Sequence, residues 1–179
     1  MEGKFLDNIF STFELDLPHL DSMEAYIAFI LPKVKEYGGS FKNTNLWQGA
    51  RWMEIQGTDA WDKSFIHIFM PENEYLIFDN GVMSKRSWRI LGNSLLIDEG
   101  RATILYEVDY IDSNFFILRQ NGTNRYFVLG KEGFVRKIKQ DWRVAMEELY
   151  NEYRNNSKFS LWVMVLILAL VLILGYFYM

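Results

Sequence analysis

Short apolar runs separated by turn residues fill the chain from Trp47 onward. Their alternation of apolar and polar residues predicts β-strands, because successive side chains of a strand point to opposite faces. Asn80-Gly81 lies between two such runs and predicts a type I′ hairpin, whose two central residues both need a positive φ. The predicted strands cover residues 50–56, 63–70, 74–79, 82–91, 94–98, 102–110, 114–120 and 124–130. Eight strands with tight connections predict an antiparallel meander, which loses its free edges by closing into a small barrel.

Helical spacing of apolar residues appears on both sides of the strands. One amphipathic helix is predicted near the N-terminus, with an apolar face of Phe5, Leu6, Ile9, Phe10 and Phe13. A second is predicted to start near Asp21 and Ser22 and to end or kink at Pro32. A third, over residues 138–155, places Trp142, Ala145, Met146, Leu149 and Tyr153 on one face. The predicted fold class is therefore mainly β with flanking helices (α+β), and the helices could cover strands that are apolar on both faces.

Residues 158–179 contain no charged residue after Lys158, and Leu, Ile and Val dominate their centre. A helix of about 20 apolar residues crosses the ~30 Å hydrocarbon core of a bilayer, so this stretch predicts one transmembrane helix. Cations and interfacial aromatic residues flank it: Arg154, Lys158, Trp162, Tyr176 and Tyr178. Basic residues lie only on the N-terminal side, which predicts a single-pass, tail-anchored protein whose N-terminal part faces the cytoplasm. The predicted divisions are 1–46 (helical segment), 47–157 (barrel domain with its C-terminal helix) and 158–179 (anchor).

The composition and motifs of the sequence argue against several classes of function. The formal net charge is −4, without a basic face that would favour nucleic acid as a partner. The chain has no cysteine and two histidines, so thiol chemistry is excluded and no zinc-ligand spacing is present. Phosphate-binding loops, nucleophile elbows and dinucleotide fingerprints do not occur in the sequence. We therefore expect a non-enzymatic protein with no cofactor and no metal.

The segment "QGARWMEI", with Gly49 shortly before the strand residue Trp52, precedes an eight-stranded meander and a final helix. Together these features resemble a small lipocalin-like (calycin) barrel over roughly residues 48–155, and the run from Trp88 to Gly133 looks like a segment that recurs in uncharacterised bacterial proteins of this kind. The resemblance implies that Trp52 closes one end of the barrel and that a cavity holds a small hydrophobic molecule. A pleckstrin-homology-like barrel, which normally has seven strands before its helix, is the alternative fold.

Strand alternation identifies candidate cavity residues. His67 should share a strand face with Phe65 and Phe69 and could orient a polar group of a ligand. The complete set of predicted ligand-binding residues is Phe65, His67, Tyr75, Ile77, Tyr106 and Phe115. An arginine at the mouth could bind a carboxylate or phosphate, and the candidates are Arg89, Arg101, Arg119 and Arg125. The alternative is a barrel filled by its own side chains, with no cavity.

Three functions remain compatible with these features. The first is a tail-anchored barrel that binds a small amphipathic or lipid-like molecule at the bilayer. The second is a scaffold that presents its surface to a membrane-protein partner. The third is a ligand-sensing effector whose anchors cluster in the membrane. We expect the first, with the bilayer as a partner and a small hydrophobic ligand and a membrane protein as further candidate partners.

Overall fold

The computed structural model of the protein describes residues 17–57, 64–98 and 100–155. Its eight strands are β1 (Trp52–Glu54), β2 (Phe65–Phe69), β3 (Glu74–Asp79), β4 (Val82–Leu91), β5 (Ser94–Asp98), β6 (Thr103–Ile111), β7 (Phe115–Gln120) and β8 (Tyr126–Lys131). Each strand pairs antiparallel with the next, and β8 pairs antiparallel with β1, so the sheet is a closed barrel. The predicted eight-stranded antiparallel meander and its closure are confirmed.

The connection between β3 and β4 shows why the chain turns where it does. Asn80 and Gly81 form a two-residue loop with φ values of 47° and 89°. Both values lie in the left-handed region, which glycine adopts freely and asparagine more readily than most residues. The strands on either side pair in register from Asp79 opposite Val82. The predicted hairpin is confirmed.

The helix α1 (Met23–Val34) starts where its sequence predicts but does not end there. The Ser22 hydroxyl accepts a hydrogen bond from the Ala25 amide at 3.2 Å and caps the first turn. An end or a kink at Pro32 was predicted, and the helix does not end there, because Pro32 lies inside it and it continues to Val34. Proline removes one backbone hydrogen bond. Leu31 and Val34 are buried, and their packing holds the last turn in helical form.

The chain after β8 forms two helices where one was predicted. The short helix α2 (Glu132–Lys137) follows β8 directly, and α3 occupies residues 142–155. Lys139 and Gln140 have φ values of 55° and 59°, which no right-handed helix accommodates. The predicted helix over 138–155 therefore begins only at residue 142, and α2 was not foreseen.

Two of the predicted helices lie in parts of the chain that the structure does not describe. The amphipathic segment from Phe5 to Phe13 and the apolar stretch 158–179 lie outside the described residues. Among the residues that the structure does describe, no helix has the length and apolar character needed to cross a bilayer.

The three helices cover one side of the barrel. Outward-facing residues of β1, β2, β7 and β8 join helix residues in a single buried cluster that includes Met53, Ile66, Ile68, Phe115, Ile117, Val128, Ile27, Ile30, Val135, Trp142 and Met146. Strands with two apolar faces thus bury both, one inside the barrel and one beneath helices, as their composition led us to expect. Burial of apolar area on this scale is the main stabilising contribution to such a fold.

A second cluster fills the barrel interior at the end opposite the Asn80-Gly81 turn, which we call the closed end. Its largest members are Trp47, Trp52, Phe69, Trp88 and Phe116, with Phe41 packed alongside. Each indole N–H is satisfied: Trp47 donates to the Phe41 carbonyl at 3.1 Å, and Trp52 donates to the Trp47 carbonyl at 3.0 Å. Trp88 donates to the carbonyls of Met70 and Glu74, each at 2.9 Å. Large aromatic side chains therefore occupy this half of the interior without leaving a buried donor unpaired.

Candidate ligand-binding site

The other half of the barrel interior is a cavity. Its volume is about 450 Å³, within the range typical of small-molecule sites. It lies at the end where β1, β3, β5 and β7 finish, which we call the open end. Its lining combines rings, aliphatic groups and polar groups: Glu54, Phe65, His67, Tyr75, Ile77, Arg86, Tyr106, Gln120, Arg125, Tyr126 and Phe127. The barrel is thus packed in one half and hollow in the other. The sequence left two alternatives open, a barrel with a cavity and a barrel filled by its own side chains, and the structure combines features of both.

Five of the six predicted ligand-binding residues meet at this cavity: Phe65, His67, Tyr75, Ile77 and Tyr106. They come from β2, β3 and β6, and strand alternation points them inward. Whether they bind a ligand stays a prediction.

Phe115 does not join them, and its predicted place in the interior was wrong. It is buried on the outer side of the barrel, with its ring centroid 5.0 Å from that of Phe134 in α2. On β7 the inward positions are Phe116 and Leu118. Arg119 shares the outward face with Phe115, but the inward-facing Gln120 is polar as well, so the sequence holds no contrast that fixes this phase.

A chain of polar groups runs across the base of the cavity, next to the packed half. His67 Nδ1 lies 2.6 Å from the Tyr75 hydroxyl oxygen. On the other side of the ring, His67 Nε2 lies 3.6 Å from Glu54 Oε2, which is beyond hydrogen-bond distance. His67 is only 5% exposed, and its Nε2 has no hydrogen-bond partner among the described residues. A buried nitrogen of this kind costs free energy until a partner meets it.

Two exposed arginines line the cavity toward its open end. Arg125 precedes β8, and Arg86 lies opposite Tyr75 on β4. Within the described part of the chain, neither guanidinium forms an ion pair with a carboxylate. Sequence reasoning named Arg125 but missed Arg86, although Arg86 is two residues before the inward-facing Trp88 and must share its face.

The other candidate arginines lie elsewhere. Arg119 pairs with Asp109 at 2.8 Å and with Glu107 on the outside of the barrel. The Asp109 carboxylate, which accepts a hydrogen bond from Arg119, raises the arginine pKa further above its usual value. Arg89 borders an outer groove beside Ser87, and Arg101 is exposed between β5 and β6. These three charges therefore do not contribute to the cavity.

Trp52 lies in the interior but is one of several residues that fill the closed end. Its ring is fully buried, and the Lys131 ammonium lies 4.6 Å from its centroid. Burial lowers the Lys131 pKa. Trp47, which precedes β1, packs edge-on against Trp88 at 4.9 Å and stacks on Phe41 at 5.1 Å. Trp47 was missed, because a residue before the first strand carries no alternation signal.

The cavity can hold one molecule through apolar walls and a few hydrogen bonds. In the described residues, no three His, Asp or Glu side chains come together in an arrangement that could bind a metal. Of the predicted membrane-flanking residues, Arg154 lies partly exposed on α3. The others, Lys158, Trp162, Tyr176 and Tyr178, lie outside the described residues.

No protein-family model matches the chain, and comparison with curated proteins and with solved structures likewise finds no match.

Proposed function

We propose that the barrel is a non-enzymatic, lipocalin-like binding domain that holds one small amphipathic molecule in its open half. The observation that carries this proposal is the cavity of about 450 Å³ inside a closed eight-stranded barrel. Barrels of eight strands are either filled by side chains or able to hold one small ligand. Here aromatic residues fill only the closed end, so the open end provides the volume that a ligand needs.

The lining favours a ligand with an apolar body and an acidic group. Phe65, Ile77 and Phe127 give apolar walls, and Arg86 and Arg125 give two positive charges. Arginine binds carboxylates and phosphates through two parallel N–H groups. A negative group between these arginines would supply the counter-charge that the described carboxylates do not.

The sequence supports a membrane location for this binding. The apolar stretch 158–179 follows α3 after a short joint, so a span there would keep the barrel beside the bilayer. The basic residues on its N-terminal side favour a cytoplasmic domain. A ligand drawn from the adjacent leaflet would then have a short path to the cavity.

The direct test is calorimetric titration of the full chain in nanodiscs of zwitterionic lipid. The probes are octanoate, decanoate and dodecanoate, and empty nanodiscs are the blank. We expect saturable binding of at least one acid. Replacing Arg86 or Arg125 by glutamine should weaken that binding about tenfold, because each change removes a charge-assisted hydrogen bond.

Arg89→Gln is the matched control, because this arginine belongs to the same strand as Arg86 but faces outward. It should leave the affinity unchanged. Absence of saturable binding by every acid, or equal losses in the control and the two cavity variants, would contradict the proposal.

A further inference from the structure

The base of the cavity offers a hydrogen-bond donor and an acceptor side by side. His67 Nε2 and Glu54 Oε2 are 3.6 Å apart, and both residues line the cavity. Only 5% of His67 is exposed, and its Nε2 has no hydrogen-bond partner among the described residues. The ring is fixed by the Tyr75 hydroxyl at 2.6 Å and by an edge contact with Phe127 at 5.0 Å. The imidazole is therefore held in place before any ligand arrives.

The neighbours of the imidazole determine which nitrogen carries the proton. If Nδ1 carried it, Nε2 would present a lone pair to the Glu54 carboxylate, and two acceptors would face each other. If Nε2 carries a proton, its N–H faces the carboxylate favourably, and the Tyr75 hydroxyl can meet Nδ1 from the other side of the ring. The base of the cavity thus presents an N–H donor from His67 next to a carboxylate acceptor from Glu54.

A neutral group satisfies both atoms only if it both accepts and donates a hydrogen bond, and a hydroxyl is the smallest such group that an organic ligand carries. A carboxylate or phosphate would accept from His67 but be repelled by Glu54, and an ammonium would pair with Glu54 but face the N–H. A methyl group would leave both unsatisfied. A hydroxyl oxygen can lie at about 2.8 Å from both atoms, accept from Nε2 and donate to Oε2.

We infer that Glu54 and His67 form a hydroxyl-recognition site at the buried end of the cavity. The inference rests on the proposed binding function and specifies its ligand class: an amphipathic acid with an alcohol group remote from the acidic group. The acidic group of the ligand lies between Arg86 and Arg125 toward the open end of the cavity, and its alcohol group reaches the base.

The experiment compares each straight-chain acid with its ω-hydroxy counterpart, using octanoate, decanoate and dodecanoate on the full chain in zwitterionic nanodiscs. An apolar tail normally loses affinity when it gains a hydroxyl, because the hydroxyl must leave water. We expect the opposite here: at the best chain length the ω-hydroxy acid should bind about tenfold tighter than its parent, which corresponds to one additional charge-assisted hydrogen bond.

The variant His67→Leu should remove this preference or reverse it. Arg89→Gln is again the control, because Arg89 lies outside the cavity. It should retain the preference. Thermal unfolding of each variant verifies that the barrel is intact, and Glu54→Gln, which preserves shape, should reduce the preference in the same direction.

The outcomes separate the two proposals. If no acid binds wild-type protein, the binding function itself fails. If parent and ω-hydroxy acids bind wild-type protein equally, the binding function stands and the hydroxyl-recognition site is overturned. A preference that survives both His67→Leu and Glu54→Gln would also overturn it.

Discussion

Trp47 organises the closed end through both its ring and its backbone. The indole is fully buried, and its N–H donates to the Phe41 carbonyl. Its own carbonyl accepts from the Trp52 indole at 3.0 Å. The ring touches residues of β2, β4 and β7, namely Phe69, Trp88 and Phe116. One side chain therefore links three strands that are far apart in the sequence.

The variant Trp47→Ala should lower the free energy of unfolding by about 3–5 kcal/mol, because it leaves a large void among rings that cannot collapse to fill it. Denaturant unfolding of the full chain, followed by near-ultraviolet circular dichroism, measures this change. Val82→Ala is the control, since Val82 is 73% exposed, and it should change the free energy of unfolding by less than about 0.5 kcal/mol. Equal losses in the two variants would contradict the role given to Trp47.

The face of the sheet on which a side chain lies could be predicted where the alternation along the strand distinguishes one face from the other. The polar His67 distinguishes its strand face from the face of Ile66 and Ile68, and alternation put Phe65 and Phe69 on the face of His67; the structure directs these three side chains inward. The pair Phe115 and Phe116 has no such contrast, since each residue is buried on a different side of the sheet. Physical chemistry alone does not distinguish two equally apolar faces until the position of the helices is known.

At the scale of elements, the contact between β8 and α2 depends on the absence of a side chain. A Cβ added at Gly130 would lie 2.4 Å from Val135 Cγ2 and 3.1 Å from Ile55 Cδ1. Val135 is fully buried and cannot move aside without disturbing its neighbours. The helix can therefore approach the strand closely only because residue 130 is glycine.

Gly130→Ala should destabilise the protein by about 1–3 kcal/mol through overpacking. Gly133→Ala is a matched control, because a Cβ at Gly133, in the first turn of α2, meets nothing within 4 Å. Alanine favours helix over glycine by up to about 1 kcal/mol, so the control should be neutral or slightly stabilising. Thermal unfolding midpoints of both variants check this, and a Gly130→Ala midpoint at or above wild type would count against the described packing.

Strand elements were easier to predict than helix ends. Strand boundaries came from the turn residues between them, and those residues have a local physical cause, such as the positive φ at Asn80 and Gly81. Helix ends depended on tertiary packing. Pro32 is carried inside α1, and the backbone at Lys139 and Gln140 divides the predicted last helix. No pattern of apolar residues reveals either feature.

At the scale of the whole molecule, closure of the barrel was predicted because it removes the free edges of the sheet. The pairing of β1 with β8 confirms this closure. The cavity was not predictable in the same way. Its existence depends on how far the rings at the closed end fill the interior, and those rings include Trp47 from outside the strands. The sequence could name inward-facing residues, but it could not decide between a packed and a hollow barrel.

The most direct test of the binding function is native mass spectrometry of the full chain released from nanodiscs, with an organic extract of the same preparation analysed in parallel. We predict a stoichiometric adduct on the wild-type protein that extracts as one class of hydroxylated amphipathic acid and decreases in the Arg86→Gln and Arg125→Gln variants. A protein mass without any adduct, combined with no uptake of the straight-chain or ω-hydroxy acids, would contradict the assignment of this barrel as a ligand-binding domain.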